Sequence, residues 1–221
     1  MNPLNKETFV ADGIQYYRVK QPLPTPPPNG YKDMAEAVGK MQEYALSNNF
    51  ALATKDRKPT RVYLKCSKGG RYRSTRKIQE CDRKKISPSR LTGCPYLLKL
   101  SYKKSIQGYM PLKPTREIEG YHNHPLDEKC LESTLKGRLS KISIDDVKEI
   151  AKLIDNNAKT RDIQRAINDD SHAGHKLYVS DINNIKAAFA RISAPTQDAG
   201  TKLVKVMESK GYRVINNVNQ N

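Results

Sequence analysis

Tryptophan is absent from these 221 residues and phenylalanine occurs only three times. With 7% aromatic and 37% apolar residues, the chain must build light cores, although its length is enough for one domain or two small ones at roughly 150 residues each. Cysteine is also scarce. Its four positions, 66, 81, 94 and 130, are too spread out for the disulfide framework of a small secreted domain, and in a reducing compartment they read as metal ligands or core thiols. No stretch approaches the roughly 18 to 20 apolar residues of a membrane span. Residues 1–20 carry Lys6, Glu7, Asp12, Arg18 and Lys20 where a secretory signal would need an apolar run. These absences predict an intracellular protein without a membrane partner. No internal repeat is evident.

What the chain has in excess is positive charge, 40 Lys and Arg against 23 Asp and Glu. The excess is local. Residues 1–50 and 143–192 each balance to zero, whereas residues 55–104 hold 17 positive and 3 negative side chains, a net of +14. A segment with so few interleaved acids makes a local field suited to a polyanion. Lys68, Arg71, Arg73, Arg76, Lys77, Arg83, Lys84, Lys85 and Arg90 are therefore the candidate phosphate and base contacts, with Arg71, Arg73, Arg76 and Lys77 preferred.

Five prolines in residues 21–30 forbid helix and read as a stiff linker. Met34, Ala37, Val38, Met41, Tyr44 and Ala45 then recur at helical spacing, with Asp33 and Glu36 placed as a capping box and Asn48-Asn49 as a stop. Alternation predicts strands at Thr60–Cys66 and Cys94–Tyr102, a weak edge strand at Tyr109–Leu112 limited by Pro111, and a fourth strand at Glu117–His124. The polar segment 67–90 between the first two strands is excluded from any core. Beyond His124 the apolar period changes from two to about 3.6. Helices are expected from a Ser143/Asp146 capping box, from near Thr160, from Ser180 and from about Gln197 to Ser209. The interval between Asp169 and Ser180 is too long for the tight turn of a helix-turn-helix, so the bundle is only similar to that motif.

The resulting class is α+β: an antiparallel sheet with an N-terminal helix, followed by a small all-α bundle. Its expected divisions are an N-terminal segment and proline-rich linker at 1–29, a basic domain with the candidate phosphate contacts at 30–128, a linker at 129–142, a helix-turn-helix-like helical region at 143–212 and a tail at 213–221.

The candidate metal ligands are evenly spaced. Twenty-seven residues separate Cys66 from Cys94, and again Cys94 from His122. His122 and His124 form a His-x-His step, which on a strand points both imidazoles to one side. Two thiolates and two imidazoles make a closed tetrahedral zinc site, structural because no position is left for water or substrate. Such an ion would contribute folding energy to a domain short of large apolar residues. The alternative from the residues alone is two core thiols and two surface histidines. Cys81, between Glu80 and Asp82, and Cys130, beside Lys129, read as bystanders, and His172 and His175 have no cysteine near them in sequence.

In order, Ala35 to Phe50, Cys66-Ser-Lys-Gly-Gly-Arg-Tyr-Arg73, Thr92-Gly-Cys94-Pro-Tyr96 and Tyr121-His122-Asn123-His124-Pro125-Leu126 resemble a known domain. It is the N-terminal zinc finger of Mutator-like transposases and of the far-red-impaired-response transcription factors derived from them, related to the WRKY and glial-cells-missing DNA-binding domains. The resemblance covers roughly residues 30–126. It implies Zn2+ bound by Cys66, Cys94, His122 and His124, and double-stranded DNA as partner. It also implies a nuclear location and a transposase-derived regulator of transcription. Residues 143 to about 210 are similar to the segment that joins finger to catalytic domain in these transposases. Tyr109 stands where the family often has Trp, and no WRKY-type recognition heptad is present, so base-reading residues do not transfer. The family's acidic catalytic triad would lie beyond Asn221, so no enzyme activity or small-molecule substrate is expected of this chain.

Two alternatives accompany that expectation. The chain is the end-binding portion of a Mutator-like transposase, or it is a basic RNA-binding protein using Tyr63, Tyr72 and Tyr102 for stacking. A protein-binding scaffold that uses the proline-rich segment or the neutral helical region is a third class, and protein partners through those helices remain an expectation. Asp145, Asp146, Asp169 and Asp170 are scattered singly and read as helix caps rather than catalytic carboxylates.

Overall fold

A computed structural model describes residues 8–71, 89–170 and 176–190, together with Val204 and Met207. The described residues are α+β, with two antiparallel sheets and six α-helices. The chain divides into two compact units, Met1–Cys130 and Leu131–Asn221. Among the described residues no helix is long and apolar enough to cross a membrane.

The first unit holds β1 (Thr8–Ala11), β2 (Ile14–Arg18), α1 (Met34–Ser47), β3 (Leu52–Lys58), β4 (Arg61–Cys66), β5 (Leu97–Lys103), β6 (Gly108–Leu112) and β7 (Tyr121–His122). Helix α1 begins at Asp33, whose carboxylate accepts the Glu36 N–H at 2.8 Å. The expected box is modified, because the Glu36 carboxylate accepts from the Lys32 N–H at 3.0 Å. Its apolar stripe of Met34, Ala37, Met41, Tyr44 and Ala45 shares one core with Val62, Leu64, Leu98 and Leu100. Strands β3, β4, β5 and β6 pair in that order, and Val62, Leu64 and Cys66 occupy the inner face of β4 as alternation requires.

Three expectations change. The strand expected at Cys94–Tyr102 begins at Leu97, and Cys94 to Tyr96 form the loop that enters it. The strand expected at Glu117–His124 is a 3-10 turn, Glu117–Gly120, followed by the two-residue β7. Glu119 causes this: its buried carboxylate accepts the Thr115 and Arg116 N–H groups and pairs with Lys99 at 3.4 Å, which curls the backbone before Tyr121. Strand β7 then joins a separate sheet ordered β1-β2-β7, pairing Tyr17 with His122. Finally, residues 8–18 form a hairpin that pairs with β7, so this stretch belongs to the first unit. Its hairpin turns at Asp12-Gly13, both at positive φ (50° and 72°), as a tight hairpin turn requires.

The proline-rich stretch is likewise tied down. The Tyr44 hydroxyl donates to the Gln21 carbonyl at 2.9 Å, and Tyr31 exchanges two backbone bonds with Tyr109 at 3.0 and 2.9 Å on the β6 edge. Gly108 permits that approach, since a Cβ there would collide with the Asn29 carbonyl.

Residues 129–142, expected as a linker, carry two short helices, α2 (Glu128–Glu132) and α3 (Leu135–Leu139). The second unit continues with α4 (Ile144–Asp155), α5 (Thr160–Asp170) and α6 (Val179–Phe189). Ser143 and Asp146 form the full reciprocal capping box of α4 at 3.0 and 3.1 Å. Ile142, Val147, Ile150, Ile163, Ile167, Leu177, Ile182 and Ile185 fill this unit's core. At its centre Arg138 and Asp181, both buried, make a two-pronged ion pair at 2.7 and 2.9 Å. The helix expected at Gln197–Ser209 lies outside the described residues except at Val204 and Met207.

Candidate metal centre

Four side chains from three separate stretches converge in the first unit. Cys66 ends β4, Cys94 stands in the loop before β5, His122 ends β7, and His124 follows two residues later. Ligand atoms of these four buried residues all lie within 4.8 Å of one another. Cys66 Sγ is 3.3 Å from His124 Nε2, and Cys94 Sγ is 3.4 Å from His122 Nδ1. A sulfur and a nitrogen bound tetrahedrally to one zinc would be about 3.6 Å apart, given Zn–S near 2.3 Å and Zn–N near 2.05 Å. The observed spacings fall a few tenths of an ångström short of that, so the donor set fits a small tetrahedral ion. Among the described residues this is the one group of three or more Cys, His, Asp and Glu that could hold an ion.

The loops are built to bring the cysteines together. Gly69 lies between them, and a Cβ there would sit 2.9 Å from both the Cys66 and the Cys94 carbonyl oxygens, a spacing that only glycine accepts. The Thr92 and Cys94 N–H groups donate to the Lys68 carbonyl at 3.0 and 3.4 Å, closing the two loops on each other. The Lys68 N–H points at Cys66 Sγ, 3.5 Å away. Across the site, Asn123, between the two histidines, donates to the Thr92 carbonyl and accepts from the Thr92 hydroxyl, both at 2.8 Å.

Burial and the mutual contacts of these four residues shape their electrostatics. The Cys66 thiol donates to Cys94, which together with burial pushes Cys66 up. That same bond, with help from the Tyr96 and Asn123 amides, holds Cys94 below its ordinary range even though burial opposes it. Burial lowers His122, whose ring is stacked on Tyr96 at 4.2 Å and 15° and edged by Phe50 at 4.6 Å. Burial opposes charge on His124 too, but Cys130, Cys66 and the Pro125 carbonyl outweigh it and carry His124 up to about 9. Among the described residues the buried His122 Nε2 has no hydrogen-bond partner, and aromatic packing holds that side of the ring.

Cys130, read from sequence as a bystander, lies outside the four-residue cluster but touches it. Its sulfur is buried 3.3 Å from His124 Nδ1, opposite the edge that faces Cys66. Cys81, His172 and His175 lie outside the described residues.

Of the nine candidate DNA contacts, Lys68, Arg71 and Arg90 are described, with Arg71 and Arg90 exposed and Lys68 half-buried. Arg73, Arg76, Lys77, Arg83, Lys84 and Lys85 lie outside the described residues. Arg71 borders a cleft of about 460 Å³ on the outer side of the cysteine loops, walled also by Ile14, Tyr16, Leu91, Pro95 and Asn123. On the outer face of the four-stranded sheet, Arg61 and Lys99 lie 5.5 and 5.8 Å from the centre of the Tyr63 ring. Comparison with family models, curated proteins and solved structures gives no significant match.

Proposed function

We propose that this chain is a zinc-stabilised, sequence-specific double-stranded DNA-binding protein of the nucleus, a regulator of transcription derived from a Mutator-like transposase. One observation carries the reading. Four residues that fall on the motifs resembling that family's zinc finger meet in a single buried Cys2His2 cluster, and the densest cationic stretch of the sequence lies between the first two.

The physical logic runs from ion to interface. Zinc would be held by Cys66, Cys94, His122 and His124 and would cross-link β4, the loop before β5 and the end of β7. The two cysteine loops are the roots of the 67–90 segment, so fixing them fixes where its cations begin. Arginines in that segment would neutralise phosphates and, with their planar fork, bond guanine edges in two places at once. Binding rather than catalysis is then the activity of this chain.

Selection of bound sequences from a random duplex pool, with zinc present and after chelation, tests the reading. Enrichment of a defined site only in the zinc-loaded arm is expected. Equal recovery of all duplexes, or preferential capture of single-stranded RNA competitor, would replace it with a non-specific or RNA-binding role.

A further inference from the structure

His124 is held on two sides. Nε2 faces Cys66 at 3.3 Å, while Nδ1 lies 3.0 Å from the Pro125 carbonyl and 3.3 Å from the Cys130 sulfur. A carbonyl oxygen can only accept, so Nδ1 carries the proton, and Nε2 is the nitrogen left to lend its lone pair once an ion displaces any proton there. The sulfur therefore stands as a second acceptor on the same N–H. Metal-binding histidines are commonly oriented in this way, by an acceptor on the nitrogen that faces away from the ion.

Cys130 is placed for the task by its own backbone. Its N–H donates to the Asp127 carboxylate at 2.7 Å, a capping contact that starts α2 right after the His-Asn-His-Pro turn. The sulfur is thereby buried against the ring rather than turned to solvent. The other metal-side imidazole shows no such support among the described residues, where His122 Nε2 finds no hydrogen-bond partner. Of the two histidines, only His124 is thus oriented by an acceptor on its outer nitrogen.

We propose that Cys130 is a positioning residue of the metal centre, its sulfur and the Pro125 carbonyl together holding the Nδ1–H of His124 so that Nε2 is the atom presented to the ion. The inference rests on the metal-binding reading of the Cys2His2 cluster and extends the working site to residue 130, past the His-x-His step. Cys130 is not a ligand in this arrangement. With the Pro125 carbonyl, which fixes the tautomer, it steadies the aim of one.

The test uses the full chain and zinc itself. Zinc affinity is measured by competition with a chelator for the parent, Cys130→Ala, Cys130→Ser and His124→Ala. The side-chain nitrogens of His124 are followed by long-range proton–nitrogen correlation in the zinc-loaded protein. Loss of an outer partner of this kind costs about 10- to 100-fold in metal affinity. Cys130→Ala is expected to fall in that range and to expose the Nδ1 proton to faster exchange. Cys130→Ser, whose hydroxyl still accepts, is expected to stay within about threefold of the parent.

Parent-like affinity in Cys130→Ala, with an unchanged Nδ1 signal, would overturn the role of Cys130 while leaving the metal centre standing. A parent that binds no zinc would overturn both. Should Cys130→Ala fail to fold, the serine variant decides: an affinity as low as that of His124→Ala would show that the sulfur packs rather than orients.

Discussion

Cutting the Arg138–Asp181 pair should unfold the helical unit far more readily than any surface change. The guanidinium is bonded three times, twice to Asp181 at 2.7 and 2.9 Å and once to the Glu132 carbonyl at 2.8 Å, and it lies 4.6 Å from the centre of the Tyr178 ring. Asp181 in turn accepts the Tyr178 N–H at 3.0 Å at the start of α6. Side-chain exposures of 6% and 2% leave neither charge able to return to water. Asp181→Ala therefore removes a helix cap, costing about 1 kcal/mol, and strands a buried cation, for a total loss of about 3 to 5 kcal/mol. In a unit of this size about 1 kcal/mol moves Tm by roughly 4 to 8 °C, so the helical transition should drop by more than about 12 °C. Replacing both partners with apolar residues, Arg138→Met with Asp181→Leu, should recover most of the loss, because the stranded charge is gone. Thermal unfolding of the full chain, followed by helical circular dichroism, reads both variants. A single variant within a few degrees of the parent, or a double variant as unstable as the single, would refute the argument.

Other outcomes are expected from the first unit. Arg73→Ala with Arg76→Ala should weaken duplex binding and flatten the slope of log K against log salt by about 0.9 for each phosphate no longer neutralised, and an unchanged slope would remove these residues from the interface. Gly69→Ala should loosen both cysteine loops, because its Cβ would press on the Cys66 and Cys94 carbonyls at 2.9 Å; zinc competition that finds parent affinity would contradict this. Burial opposes the Glu119 charge, but the Arg116 and Thr115 amides with the Arg116 and Lys99 side chains hold the carboxyl below its ordinary value. The folded value is thus the lower one, so its stabilisation is complete above the unfolded value near 4.5 and is lost as pH falls through the folded value. Glu119→Gln should flatten that acid limb in pH-dependent unfolding, and an identical limb would place the titration elsewhere.

Legibility from sequence followed the locality of the signals. Helices α1 and α4 were readable because cap and apolar stripe lie within a few turns, and β4 because Val62, Leu64 and Cys66 alternate cleanly. The four clustered residues were readable because chemistry limited the choice to few Cys and His. Strand β3 was not, since beyond Leu52 it is largely exposed and charged, as suits a sheet edge. The N-terminal hairpin carried its signal in Asp12-Gly13, flanked by Thr8–Ala11 and Ile14–Arg18, and that dipeptide was the clue to use. The 3-10 turn at Glu117–Gly120 was not legible because Glu119 caps the Thr115 and Arg116 amides and pairs with Lys99, contacts that alternation does not register. The approach of Cys130 to His124, six residues away, was not legible because the Asp127 cap creates it and ligand spacing does not.

Metal content measured on the purified full chain by elemental analysis, before and after chelation and with circular dichroism recorded alongside, addresses the central claim most directly. One zinc per chain is predicted, absent from Cys94→Ser, with the β signal of the first unit lost on chelation while helices α4 to α6 persist. A metal-free protein with an undiminished spectrum would contradict it.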